Sequence, residues 1–238
     1  MANFDLKTIL AEPPKLHESN GQLIADYRID KTTSHELNGR LKPGMKTLET
    51  GAGLSTIIFA ANGCQHTCIM PDDALVDRIQ AYCRSASIDT SNVTFIIAKS
   101  CDVIHQMDRS GYDLVLIDGC HGFPSVFVDF CYGAKALKLG GTLVIDDMHI
   151  YTCHFVASFM QSDPGWNVEL MNKRVAFGIK ISDTIDNEWM GQPFVLHRSL
   201  PKISFTTPLL AARATVNTLR KHGVRETVKS ILGKIFPR

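Results

Sequence analysis

The sequence predicts an α/β domain, doubly wound about a mainly parallel sheet, and three features lead to that reading. From Lys46 onward, apolar runs and amphipathic stretches alternate five times. The first apolar run ends in a Gly-x-Gly turn that opens directly into a helix-like stretch. After the fifth, two strand-like runs separated by Asn172-Lys173-Arg174 read as a closing β-hairpin.

The elements follow in order. Residues 1–44 form a helical lead-in, in which Thr33 and Glu36 are spaced as a capping box for a short helix through Leu41, closed by Pro43-Gly44. "KTLE" is a short strand and Ser55 to Ala61 a helix. "HTCIM" is the second strand, and Ala74 to Ser85 a helix with Leu75, Val76, Ile79 and Tyr82 on one face. "VTFIIA" is the third, before a short helix from Val103 to Met107; "YDLVLID" is the fourth, before a helix from Val126 to Leu137. "GTLVID" is the fifth, before a helix from about Tyr151 to Met160, and "WNVELM" and "VAFGIKI" make the hairpin. The first five strands are near-continuously apolar, as strands covered on both faces are. Strand–helix alternation implies right-handed crossovers and a parallel sheet.

The expected organisation is therefore a lead-in over 1–44, the α/β domain over 45–181, and a last segment over 182–238. Residues 182–208 are loop-rich. From Leu209 the apolar positions 216, 219, 224, 228, 231, 232 and 235 suggest two amphipathic helices broken near Gly223.

Composition bounds the function. With 238 residues, 45% apolar and 21% charged, the chain is an ordinary globular protein. No apolar run approaches the roughly 18 residues of a membrane span, and the N-terminus lacks the apolar core of a secretory signal. The seven cysteines are scattered, and Cys64 and Cys68 have no second pair that would complete a zinc site. All seven are expected to be reduced thiols of a cytoplasmic enzyme. Net charge is +1, divided as +6 from Ile203 onward (seven Lys/Arg against Glu226) and −5 before it. That balance argues against nucleic-acid binding by the whole chain, and the tail matches no recognition helix.

The turn in "LETGAGLST" carries the first chemistry. Glycine lets a ligand sit against the main chain, and the helix that follows offers free N–H groups. A dinucleotide is disfavoured because Thr56 stands at the third glycine position and the second strand ends in Met70 rather than an acid. Glu49 would repel a pyrophosphate but suits a ligand bearing ammonium and sulfonium groups.

"LETGAGLST", "DLVLIDGCHGFPSVFVDF", "LKLGGTLVIDDMH" and the final hairpin resemble the class I S-adenosylmethionine-dependent methyltransferases, in particular the small-molecule O-methyltransferases related to catechol and macrocin enzymes. The resemblance spans roughly Leu41 to Ile181. It implies a Rossmann-like seven-stranded sheet whose last strand is antiparallel, and S-adenosylmethionine as cofactor. Glu49, Gly51, Ala52 and Gly53, with Ser55 just beyond, would cradle its methionine part. Ser100 and Cys101 would flank the adenine. Met70 departs from the family, whose second strand ends in an acid for the ribose hydroxyls; Asp72 either substitutes for it or caps the next helix.

Asp118 ends the fourth strand and Asp146-Asp147 end the fifth, so all three open onto the crevice of the glycine turn. Their oxygens suit Mg²⁺, and the resemblance implies such an ion, bound to the acceptor hydroxyl. The alternative is that Asp118 contacts the cofactor and Asp147 caps a helix. His121 and His149 flank these acids as candidate general bases, with Asp118 beside them. The activity expected is O-methylation of a small molecule or sugar. The alternative is a non-catalytic methyltransferase-like interaction or membrane-associated module. The basic tail either meets an anionic membrane as a peripheral contact or packs on its own domain or on a second subunit of a homo-oligomer.

Overall fold

A computed structural model describes residues 5–25 and 28–199. It divides into a unit ending at Asp186 and a second beginning at Asn187. Of the second, the described part, residues 187–199, carries a 3-10 turn at Trp189–Gly191. The tail helices expected from Leu209 lie outside the described residues.

The lead-in holds helix α1 (Leu6–Ala11), a ribbon of β1 (His17–Ser19) and β2 (Gln22–Ile24), and helix α2 (Lys31–Arg40). The ribbon was not legible in the sequence: its strands are three residues each and mostly exposed, with no alternation to detect. The capping box is corrected as well. Asp30, not Thr33, caps α2, and its carboxylate accepts from the Thr33 N–H at 2.8 Å.

The strands of the main sheet are β3 (Lys46–Thr50), β4 (Gln65–Met70), β5 (Val93–Ile97), β6 (Tyr112–Ile117), β7 (Leu137–Asp146), β8 (Trp166–Met171) and β9 (Val175–Lys180). They lie in the order β5-β4-β3-β6-β7-β9-β8. The pairs from β5 through β7 are parallel, and β9 runs antiparallel to both its neighbours. The order reverses between β3 and β6. That switch point is where an open α/β sheet places its ligand crevice, outside the carboxyl ends of the strands.

The connecting helices are α3 (Leu54–Ala61), α4 (Asp73–Ser85), α5 (Ser100–Val103), which continues as a 3-10 turn over Ile104–Gln106, α6 (Ser125–Ala136) and α7 (Tyr151–Ser162). They cover the sheet with two cores. One gathers Leu37, Ile57, Phe59, Leu75 and Ile79 against Leu114, Leu116 and Phe177. The other gathers Val126, Phe130, Val156 and Met160 against Val115, Leu143 and Ile145. α3 is buried all round from Leu54 to Ala60, with Leu54, Ile57, Ile58 and Phe59 as its large apolar side chains, so its stability comes from packing. Each of those four side chains contributes about 1.5–3 kcal/mol of burial, which anchors the helix that follows the glycine turn.

Candidate active site

Backbone contact builds the site first. The Gly51 N–H donates to the Ile69 carbonyl on β4 and the Asp118 N–H to the Thr50 carbonyl on β3, both at 3.0 Å. Gly51 has φ +90°, and a Cβ there would lie 2.7 Å from the Asp118 carbonyl carbon and 3.1 Å from the Gly119 nitrogen. The turns after β3 and β6 can approach this closely only because Gly51 is glycine. Above them opens a crevice of about 950 Å³.

Gly51, Ala52, Ser100 and Cys101 line that crevice, as do Asp118, His121, Asp146, Asp147 and His149. Met70 lines it too, so an apolar side chain stands at the end of β4, where the resemblance leads one to expect an acid. Ser100 donates its hydroxyl proton to Asp129 on α6 at 2.9 Å. Asp129 is fully buried, its other oxygen has no hydrogen-bond partner, and burial raises its carboxyl pKa.

Other expected cofactor residues lie elsewhere. Glu49 does not reach the crevice: it is fully buried, accepts from the Thr56 hydroxyl and meets His66 Nε2 at 3.0 Å. Thr47 Oγ1 lies 2.9 Å from the other His66 nitrogen, and Thr56 Oγ1 accepts from the Gly53 N–H at 3.0 Å. Glu49 therefore braces the glycine turn from below. Ser55 is buried inside α3. Gly53 faces His17, whose Nε2 a Cβ would approach to 3.1 Å. Asp72 caps α4, accepting from the Leu75 N–H at 3.1 Å, with Arg78 3.4 Å from its second oxygen.

The acids and histidines do converge. His121 Nε2 lies 3.3 Å from Asp147 and 3.7 Å from Asp118. Its ring is fixed from behind by Cys153 Sγ, 3.2 Å from Nδ1, while Thr152 donates to the His121 carbonyl. Burial lowers the His121 pKa, and Asp147 opposes that shift. Burial also pushes the Cys153 thiol up to about 12, which keeps it protonated. Burial, then the carboxylates of Asp146, Glu49 and Asp147, hold Asp118 well above the ordinary carboxylate range. Burial and Asp147 push Asp146 up to about 7.

Asp147 has φ +54°, a left-handed conformation that aspartate tolerates better than most residues. Arg174, from the β8–β9 hairpin, reaches it at 3.2 Å and also lies 3.6 Å from Asp30 and 3.4 Å from His149. His149 is 3.6 Å from Asp147 and half-exposed. The ligand atoms that gather are those of Asp118, His121 and Asp147, all within 4.8 Å of one another. This differs from the three carboxylates expected: Asp146 is not in the group, an imidazole is, and a guanidinium already sits on Asp147. The oxygen shell that Mg²⁺ demands does not fit that arrangement. Arg174, together with His17, Arg28 and Lys99, which also line the crevice, belongs to no motif and carries no signal in the sequence.

A family profile described as a methyltransferase domain matches residues 48–148. No curated protein matches the chain. Among solved structures, a Corynebacterium glutamicum protein is 18% identical, with 66% of this chain and 83% of that one covered at a TM-score of 0.55. The O-methyltransferase TomG of Streptomyces achromogenes, involved in tomaymycin synthesis and solved with SAM, is 14% identical over 67% and 84% at 0.55. A Podospora anserina methyltransferase bound to SAH is 12% identical over 66% and 82% at 0.54. At these identities the likeness establishes the fold. Among the described residues no helix is long and apolar enough to cross a membrane. The sheet order and the glycine turn at its switch point are those of the Rossmann-like methyltransferase fold, and the profile match over residues 48–148 supports a class I S-adenosylmethionine-dependent methyltransferase domain there.

Proposed function

We propose that the chain methylates a hydroxyl oxygen of a small-molecule acceptor, with His121 as general base. The observation that carries this reading is His121 Nε2 facing Asp147 and Asp118 at 3.3 and 3.7 Å beside the glycine turn. S-adenosylmethionine supplies an electrophilic methyl group. Gly51 and Ala52 would hold its methionine end, and Ser100 and Cys101 its adenine, with Met70 as an apolar wall beside the ribose.

The remaining chemistry belongs to the chain. With His121 neutral and its Nδ1–H directed at the Cys153 sulfur, Nε2 takes the acceptor's hydroxyl proton. The imidazolium that results is stabilised by Asp147, 3.3 Å away, which Arg174 holds in place at 3.2 Å. General-base assistance of this kind contributes roughly 10²–10⁴-fold. Alignment of the hydroxyl for in-line displacement contributes the rest.

Calorimetric titration with S-adenosylmethionine and S-adenosylhomocysteine tests the reading first. Micromolar binding of both is expected, and a folded chain that binds neither would instead support a non-catalytic module. A divalent ion on Asp118, His121 and Asp147 is a second reading, favoured by the convergence of their ligand atoms within 4.8 Å. Transfer that is unchanged by EDTA would remove it. A cytoplasmic location, a tail that touches anionic membrane and a homo-oligomer remain proposals from composition.

A further inference from the structure

Beneath the glycine turn, polar side chains of β3 and β4 meet inside an apolar core. The two strands pair with Thr47 opposite His66 and Glu49 opposite Cys68, and because side chains alternate along a strand, all four point to one face. Glu49, His66 and Cys68 are at most 1% exposed. Each brings a ligand atom to within 4.8 Å of the other two. Hydrogen bonds account for part of this group: Glu49 Oε1 accepts from the Thr56 hydroxyl and meets His66 Nε2, and the Cys68 thiol donates to the Gly51 carbonyl at 3.2 Å. They do not account for Glu49 Oε2, which is buried and has no hydrogen-bond partner. Buried charges are paired or coordinate a metal, since a carboxylate oxygen left bare in the core is costly.

The donors select the ion. An imidazole nitrogen, a thiolate sulfur and a carboxylate oxygen are the ligand types of zinc, whereas Mg²⁺ and Ca²⁺ take oxygen. Charge selects it as well, because carboxylate and thiolate together balance a divalent cation and leave the core neutral. The surroundings match a closed site. Nδ1 of His66 lies 2.9 Å from the Thr47 hydroxyl, the kind of outer contact that orients a metal-bound imidazole. The Phe59 ring stacks on the same imidazole with centroids 4.2 Å apart. The Thr56 hydroxyl and the Gly51 carbonyl, in contact with Glu49 and Cys68, are the oxygens at hand for a fourth position.

We propose that Glu49, His66 and Cys68 bind a structural zinc ion that fastens β3, β4 and α3 together beneath the glycine turn. Binding forms a zinc–sulfur bond and releases the Cys68 thiol proton to solvent; nothing is oxidised or reduced. Because its ligands are buried, the ion enters as the chain folds and then resists chelators, unlike an ion on Asp118, His121 and Asp147, which line the open crevice. The test is the metal content of the full chain, produced in zinc-supplemented medium and passed through EDTA, for the unaltered protein, Cys68→Ala and Asp147→Asn. Mass spectrometry should find about one zinc ion per chain in the unaltered protein and in Asp147→Asn, and none in Cys68→Ala. Production with cobalt in place of zinc should give the unaltered chain a thiolate-to-cobalt charge-transfer band, a readout that needs no folded Cys68 variant. An unaltered chain that keeps no zinc, or that binds cobalt without this band, overturns the proposal. So does zinc retained by Cys68→Ala. Loss of the ion from a folded Asp147→Asn chain overturns it too, because the ion would then belong to the cluster in the crevice.

Discussion

Gly51→Ala tests the construction of the site most directly. The added Cβ would sit 2.7 Å from the Asp118 carbonyl carbon, with the carbonyl oxygen closer still, and 3.1 Å from the Gly119 nitrogen. Carbon–carbon contacts are optimal at about 3.5–4.0 Å, so the turn after β6 must retreat by roughly 1 Å. The obstacle is backbone anchored to Thr50, not a side chain that can rotate away. A non-glycine residue at φ +90° adds strain of about 1–3 kcal/mol, and overpacking adds about 1–3 more. The net cost should be about 2–6 kcal/mol, which in a chain of this size lowers Tm by roughly 4–24 °C. Because Asp118 moves with the turn, affinity for S-adenosylhomocysteine should fall at least ~tenfold, or about 1.4 kcal/mol. Differential scanning calorimetry and isothermal titration give both numbers. A variant that melts within about 1 °C of the unaltered protein and binds equally well would refute the account of the crossing.

Four further outcomes follow from the same geometry. His121→Gln should lower methyl transfer roughly 10²–10⁴-fold without weakening S-adenosylhomocysteine binding; in the unaltered enzyme, transfer should rise with pH to a plateau reached below the ordinary histidine range, because burial lowers that pKa. His66→Ala leaves Glu49 buried against Thr56 without its imidazole partner, and chemical denaturation should register a loss of about 1–3 kcal/mol. Asp72→Ala removes a helix cap and should cost about 1 kcal/mol of stability, with calorimetry showing unchanged cofactor affinity because the side chain faces α4. Asp129→Asn tests the buried carboxyl. Burial raises its folded pKa, so it stabilises the fold below its unfolded pKa of about 3.9 and loses that contribution as pH rises through the raised folded value. Urea titrations from pH 4 to 8 should show a smaller fall in stability for the variant than for the unaltered chain.

Much of this protein is legible from its sequence, and the reasons are local. Apolar runs of five or six residues alternating with 3.6-period stretches mark the strands and helices around them, because burial on both faces of the sheet leaves few polar positions in the strands. The glycine turn and the acids ending β6 and β7 are also legible, since a doubly wound sheet brings successive strand ends to one edge whatever the loops between them. Tertiary structure decided what those residues face. Glu49 looks like a ligand contact because it precedes the glycines, but its β3 position points it into the core, where His66, on the neighbouring strand at 3.0 Å, claims it. Asp72 caps a helix, and Asp146 stays apart from the cluster that Asp118, His121 and Asp147 form. Arg174, more than 20 residues downstream of Asp147 in a hairpin loop without a motif, lies against it only because β9 pairs antiparallel with β7 and returns the hairpin to that strand end. Spacing along a chain fixes which strand end a residue occupies. Whether its side chain meets a ligand, a helix or another charge depends on partners distant in sequence, and only the packed sheet supplies them.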